Sequence, residues 1–425
     1  MSKANLKYAL LQMSFWTAAA SGYGFMTQIL QNMGFGNDQI GILNAVKLLA
    51  TVVFQMLIGS FSDRFAKKIP LKAMIAVLAA AAAALTGVFY LGPFSFPGTL
   101  LLFIGFGGTF TCISPLIDSL AVLYNNQGEK INYAWGRAAG SAAYAVACIG
   151  FGVFCDAFGV SKLLLLQLVF TLAFLVTALW MERGQSKAGE KEDTPGSKAE
   201  QLAGAKLAEV QLTEQEKNKV HSLWYLLREY PKFTCFLLGA AIMFMAYNLG
   251  TTFLINVIEE LGGGNTHYGM AEFMLAVSEI PSALIMTRYR KKIPMDKLMV
   301  GCAFFMMLKN AFAAFSGNIT VIILSQSCEM LGFGLFYSGS VYLVNEMLPA
   351  QDTVKGMSFV NAATVGLGEG VGSFVCGFFR NHFGLHGLMA ISVLVGLISV
   401  GCMAVMCLLP ERRRTGFAKK KGVSV

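Results

Sequence analysis

The chain has 425 residues, 55% of them hydrophobic and only 13% charged, with a mean hydropathy of +0.59 and a formal net charge of +9. Soluble domains carry about 25% charged residues, so this composition excludes a soluble globular protein and indicates a polytopic membrane protein. The 45 glycines against 10 prolines suit closely packed membrane helices, and the nine cysteines show neither CxxC nor Cys/His metal spacing.

In chain order, apolar runs reaching the length of about 20 residues that a bilayer span needs fall at 8–32, 38–60, 70–91, 98–123, 132–155 and 161–182. Six more follow at 232–257, 266–287, 296–315, 319–347, 354–379 and 385–409. The expected fold is therefore an all-α membrane protein: twelve transmembrane helices in two pseudo-symmetric six-helix bundles. Residues 1–182 form the first bundle, 183–231 a cytoplasmic linker, 232–411 the second bundle and 412–425 a basic tail. The first apolar run is too long for a signal core and reads as a retained span. The linker is rich in Lys, Glu, Gly and Ala, which favours a flexible chain. An interfacial helix over 206–228 is an open alternative there.

Lys and Arg gather on one set of loops: Arg64, Lys67 and Lys68; Lys130; the linker; Arg288, Arg290, Lys291 and Lys292; Lys355; and the tail. The opposite loops hold only Lys162 and Arg380. The positive-inside bias puts both termini in the cytoplasm. A multi-pass protein of a bacterial inner membrane follows as the expectation, monomeric, with the bilayer and a small-molecule solute as its partners. Topology accounts for the basic character, so no nucleic-acid partner is expected.

The chain repeats itself. Arg64–Pro70 echoes Arg288–Pro294 at an offset of 224, and Phe158-Gly159 is matched by Phe383-Gly384. Two six-span repeats with a solute site between them is transporter architecture.

Eight ionisable side chains fall inside the apolar runs: Lys47, Asp118, Arg137, Glu272, Glu279, Lys309, Glu329 and Glu369. Each costs about 3 kcal/mol or more at bilayer depth unless paired or wetted, so they face one another or a wet cavity. Asp118 and Arg137 sit on neighbouring spans, with Tyr144 seven residues further on. A carboxylate beside a guanidinium offers acceptors and donors to vicinal hydroxyls, and an aromatic face suits a sugar or a flat ring. Glu272 and Glu279, seven apart, share a helix face. Carboxylates whose proton affinity changes with their neighbours couple a proton to a conformational change. Static ion pairing is the competing reading for any one of these groups, and helix packing for Tyr144. Trp16, Tyr23, Phe25, Tyr247 and Tyr337 either line the cavity or pack. Asn248 and Asn256 either meet solute or bond span to span. His267, His382 and His386 lack ligand spacing, so no metal and no cofactor other than the proton is expected. Neither a phosphate-binding loop nor a nucleophile–base arrangement marks an enzyme.

Gly59-Ser-Phe-Ser-Asp63-Arg64-Phe-Ala-Lys67-Lys68 joins the second and third spans. It resembles the G-x-x-x-D-R/K-x-G-R/K-R/K loop of the major facilitator superfamily, with Ala66 in place of the usual glycine and Thr287 at the acid's place in the second half. Gly59 would permit close helix approach. Asp63 would meet a helix N-terminus or a basic partner, making Gly59, Asp63 and Arg64 a gating loop rather than only a topology signal.

Pro115-Leu-Ile-Asp118 and Arg137-Ala-Ala-Gly140-Ser-Ala-Ala-Tyr144 resemble the P-x-x-E and Arg–Gly–aromatic patterns of the oligosaccharide–proton symporter, or lactose permease-like, branch of that superfamily. The resemblance implies that Asp118 and Arg137 bind solute and that Tyr144 stacks on it, with Asp and Tyr replacing the branch's Glu and Trp. Lys309 and Glu329 stand at the spacing of the branch's arginine and histidine, and Glu272 near its span-eight glutamate. Glu272, Glu279, Lys309 and Glu329 are thus the proton-coupling candidates. The expected function is proton-coupled symport of a small polar solute, a sugar or glycoside first. The alternatives are uptake of a nucleoside or aromatic acid, drug/proton exchange, or a non-transporting membrane sensor.

Overall fold

The computed structural model describes residues 3–65, 68–92, 94–126, 129, 131–181, 223–289 and 292–409. Residues 183–222 of the expected linker, the tail 412–425, and the side chains of Tyr23, Asp63 and Thr287 lie outside that description. Among the described residues every regular element is helical.

In the first half, α1 runs Lys3–Ala19, passes a π-helical turn at Ala20–Gly24 and resumes as Met26–Asn32. α2 is Asn37–Phe65 and α3 Leu71–Leu91. α4 is Phe96–Gly108 followed by Ile113–Asn126 across a 3₁₀ turn at Phe110–Cys112. α5 is Tyr133–Phe158 and α6 Leu163–Trp180. A short helix, Leu223–Glu229, leads into the second half and occupies the end of the expected interfacial segment.

There α7 is Pro231–Thr251 plus Leu254–Glu260, α8 Asn265–Tyr289 and α9 Met295–Phe315. α10 is Ile319–Ser325, a 3₁₀ stretch Gln326–Met330, and Phe333–Met347. α11 starts as Thr353–Asn361, widens into a π-helix at Ala362–Glu369 and continues into Gly370–Leu408, whose part beyond Gly384 is α12. Each expected apolar run is thus helical. Nine segments of the described residues are long and apolar enough to cross a membrane, and one of them, Thr353–Leu408, folds back on itself at Gly384. The interrupted α1 and the Glu-bearing α8 stand outside those nine.

The repeat seen in the sequence has a backbone cause. Among the described residues the four with positive φ are glycines that fall into pairs: Gly34 with Gly262, and Gly159 with Gly384. Each ends a helix at a positive φ that glycine adopts freely, and Gly159 (ψ 150°) and Gly384 (ψ −178°) lie in the extended positive-φ region that costs other residues about 1–3 kcal/mol. The helix breaks pair up as well. Phe25 (φ −107°, ψ 12°) in α1 matches Phe253 (φ −116°, ψ 23°) in α7. Thr109 (φ −116°, ψ −85°) in α4 matches Gly332 (φ −84°, ψ −92°) in α10. Broken backbone at membrane depth is tolerated where it lines a cavity or is buried in protein.

Packing shows how the halves meet. Call the end that carries residues 3, 65, 181 and 409 the near end. One apolar cluster, with Phe25, Ile29, Leu43, Cys148, Phe151, Leu254, Ile258, Cys376 and Leu388, draws on both halves and sits toward the far end. Toward the near end each half keeps its own core: Tyr8, Phe15, Ile117 and Phe174 in the first, Phe236, Met299, Phe336 and Met403 in the second. The hydrogen bonds joining the halves gather at the far end too: Thr27 Oγ1 to the Thr252 carbonyl at 2.9 Å, Gln31 Nε2 to Asn256 Oδ1 at 3.0 Å, and Asn37 Nδ2 to Asn381 Oδ1 at 2.9 Å. Glycines let the helices cross there. A Cβ on Gly41 would lie 2.5 Å from the Ser373 carbonyl oxygen, and one on Gly377, Gly152 or Gly269 would lie closer still to Asn37, Asn265 or Cys148. Near-end Gly59 faces open space instead, so the close approach expected of it is not made. Arg64 is exposed and lies 5.8 Å from the Phe65 ring. Among the described residues the halves are joined at the far end and keep separate cores at the near end.

Candidate functional site

The first-half wall is built on the face of α1 that carries Tyr8, Gln12 and Trp16, four residues apart and therefore in line. It lies against α5 because α5 offers glycine opposite each ring. A Cβ at Gly136 would come within 2.5 Å of the Tyr8 ring, and one at Gly140 within 2.5 Å of Trp16. Arg137 lies between those glycines and stacks its guanidinium 4.3 Å from the Trp16 ring centre, a cation–π contact worth about 0.5–2 kcal/mol. Gln12, 1% exposed, is the hub. Its Oε1 accepts from Trp16 Nε1 at 3.0 Å, and its Nε2 donates to the Tyr8 hydroxyl at 2.8 Å and to Asp118 Oδ1 at 3.4 Å. Asp118 and Arg137 do not close on each other: among the described ion pairs none joins them. Arg137 Nη1 is buried with no partner. The expected acid–base pair is therefore held open, each group oriented by an α1 side chain.

Tyr144 is placed differently from a stacking platform beside Arg137. Its hydroxyl donates across the halves to Glu272 Oε2 at 3.1 Å, and its ring meets Trp16 edge-on at 6.1 Å. Trp16 holds the aromatic position next to Arg137. Beside Glu272 stands Tyr268, whose hydroxyl donates to the Gly24 carbonyl at 2.7 Å where the π-turn of α1 frees it.

On the second-half wall Lys309 and Glu329 form a direct ion pair, 2% and 0% exposed. Lys309 Nζ also lies 4.3 Å from the Tyr247 ring centre, and Glu329 Oε2 has no hydrogen-bond partner. Glu329 sits in the 3₁₀ stretch of α10, where side chains three apart eclipse. Gln326 Oε1 on the same face is likewise unpaired. Glu279, two turns toward the near end from Glu272, lies within electrostatic reach of Glu329, of Lys309 and, across the halves, of Arg137. Around them Tyr247, Phe333 and Tyr337 form an aromatic patch with ring centres 4.7–5.8 Å apart along its edges. The structure thus gathers Asp118, Arg137, Tyr144, Glu272, Glu279, Lys309 and Glu329 about one inter-half space. Lys47 and Glu369 face each other from α2 and α11, with Lys47 Nζ 5.9 Å from the Phe103 ring and Glu369 within electrostatic reach of Tyr247 and Tyr337.

The other polar candidates bond span to span. Asn248 Oδ1 accepts from Ser373 Oγ and Thr252 Oγ1, each at 3.0 Å, and Asn256 Oδ1 accepts from Arg380 Nη1 at 2.6 Å as well as from Gln31. Phe25 is fully buried against Tyr268. Gln12, Tyr8 and Tyr268 did not stand out in the sequence. The spacing of Tyr8, Gln12 and Trp16 on one helix face was the available signal for the first two.

A family model described as the MFS_1 like family matches residues 5–390. The chain belongs to this family. Among relatives, the "Uncharacterized transporter YwbF" of Bacillus subtilis (strain 168) is 21% identical over 400 residues, covering 92% of this chain and 91% of that one. Among solved structures, the nucleoside transporter NupG superposes with a TM-score of 0.75 at 13% identity, covering 95% of this chain and all of that one. A bacterial homologue of the human lysosomal transporter Spinster, inward-facing and unoccupied, gives 0.65 at 14% identity, covering 96% and 98%. At such identities these likenesses speak for the shared fold alone. The MFS_1 like family's fold is what sets the two walls face to face here.

Proposed function

We propose that this protein, a transporter of MFS type, imports a small polar solute together with a proton, by alternating access between two six-helix halves. The observation that carries the reading is the opposition of two charged walls in one space. Arg137 is stacked on Trp16 with a free donor, beside Asp118. The Lys309–Glu329 pair, with a free carboxylate oxygen, belongs to the other half. Solute hydroxyls take the first wall; a proton loads the second, at Glu329, Glu279 or Glu272, with Lys309 favouring its release. The near end is cytoplasmic on the Lys/Arg bias, so the captured state is inward-facing.

A glycoside is the solute class we favour. The aromatic patch of Tyr247, Phe333 and Tyr337 extends this to an N-glycoside: a nucleoside presents hydroxyls at one end and a flat ring to stack at the other. The test is thermal stabilisation of the purified protein by sugars, nucleosides and aromatic acids, followed by uptake of the stabilising solute into vesicles with an imposed pH gradient. Stabilisation should vanish in Arg137→Ala. Uptake against a gradient should stop in Glu329→Gln while exchange persists. Stabilisation that survives Arg137→Ala removes the proposed solute site. Wild-type gradient response in Glu329→Gln, Glu279→Gln and Glu272→Gln alike removes proton coupling.

A further inference from the structure

The far-end closure is built twice, once at each symmetry-related crossing, and the two copies differ in charge. At the α2–α11 crossing Asn381 meets Asn37 through one neutral hydrogen bond. At the α5–α8 crossing the residue in the place of Asn381 is Asp156, and it makes four. Oδ1 accepts from the backbone N–H and from Nδ2 of Asn265, both at 3.0 Å. Oδ2 accepts from the backbone N–H of Thr266 at 2.8 Å and from its hydroxyl at 2.6 Å. These donors are the first residues of α8, whose first turn carries no acid of its own. α2, by contrast, begins with Asp38 in its first turn. An unserved helix N-terminus presents free N–H groups and partial positive charge. Asp156, from the other half, supplies in trans the cap that α8 lacks.

We infer that Asp156 is an anionic latch between the halves, capping the N-terminus of α8 only while the far end is closed, and that it, more than Asn381, sets how often that end opens. This rests on the alternating-access reading. When the far end parts, α5 withdraws from α8 and all four bonds are lost together. Two backbone N–H groups then return to water. Gly152 and Gly269, whose missing side chains let α5 and α8 touch, bring the carboxylate into range.

The protein carries its own reporter. Cys148 lies on α5 beside Tyr144 and Glu272 and is 0% exposed while the far end is closed. Purified full-length protein in detergent would be reacted with a hydrophilic maleimide, and labelling of Cys148 followed by peptide mass spectrometry. Gly269→Leu, which forces the crossing apart, serves as the opened reference. Asp156→Asn and Asp156→Ala should label about tenfold faster than wild type, in line with loss of a charged helix cap. Asn381→Ala should change the rate by about twofold or less. Thr266→Ala combined with Asp156→Ala should be no faster than Asp156→Ala alone, because both remove the same contact. Chromatographic behaviour and thermal unfolding identify any variant that fails to fold; Asp156→Asn stands in where Asp156→Ala does so. Wild-type labelling in both Asp156 variants while Gly269→Leu labels fast overturns the latch. Equal acceleration by Asn381→Ala overturns its anionic character. Neither outcome involves solute or proton, so the latch and the symport proposal fail separately.

Discussion

Lys309 and Glu329 show how a charge in an apolar helix is kept. Each is buried, and each has the other as its direct partner. Removing one leaves the other uncompensated, which costs about 3–5 kcal/mol. Lys309→Ala is therefore expected to lower the unfolding temperature sharply, and Lys309→Ala/Glu329→Gln to recover most of the loss. The comparison is a thermal unfolding series in one detergent. Arg137 is a different case, since its guanidinium rests on Trp16 as a flat plate. Arg137→Lys keeps the charge but loses the planar stack and the fork of donors. Solute affinity measured by stabilisation should fall at least about tenfold, with the melting temperature of the empty protein moving little. That these residues would matter was readable from charge placement alone. That Asp118 and Arg137 stay apart was not, because the spacing along two helices does not report Gln12, which arrives from a third.

Among the helices, the informative positions are those with an unusual backbone. Gly384 has φ +71° where α11 turns into α12, and Gly159 has φ +87° at the end of α5. Gly384→Ala should cost about 1–3 kcal/mol, read as a lower thermal midpoint with no change in the order of solute preference. The repeat of Phe-Gly at these two sites was visible in the sequence, and its cause is the positive-φ, extended-ψ backbone both require. The breaks in α1, α4, α7 and α10 left no such mark. Their dihedrals depart from helical values at Phe25, Thr109, Phe253 and Gly332, of which only the last is a residue that punctuates helices by itself. Packing against neighbouring helices surrounds such breaks, and single-chain periodicity is blind to it.

For the molecule as a whole, the expected outcome is a shift between two closures. Gly377 approaches the Asn37 carbonyl so nearly that a larger side chain forces α2 and α11 apart. Gly377→Leu should therefore abolish net uptake while leaving the protein folded, with Cys148 becoming reactive to maleimide. Unchanged uptake would mean that the cycle does not need the far-end seam to close. The membrane character, the two-half organisation, the side bearing the positive charge and the presence of ionisable groups inside apolar runs all follow from composition and hydropathy. These are properties each segment carries regardless of its neighbours, since the bilayer acts on every span separately. The closed far end, the trans-cap of α8 by Asp156 and the bridge from Tyr144 to Glu272 belong to the folded molecule. Each joins residues more than 100 positions apart across a seam between halves, and such a contact exists only once the two bundles have chosen how to lean on one another.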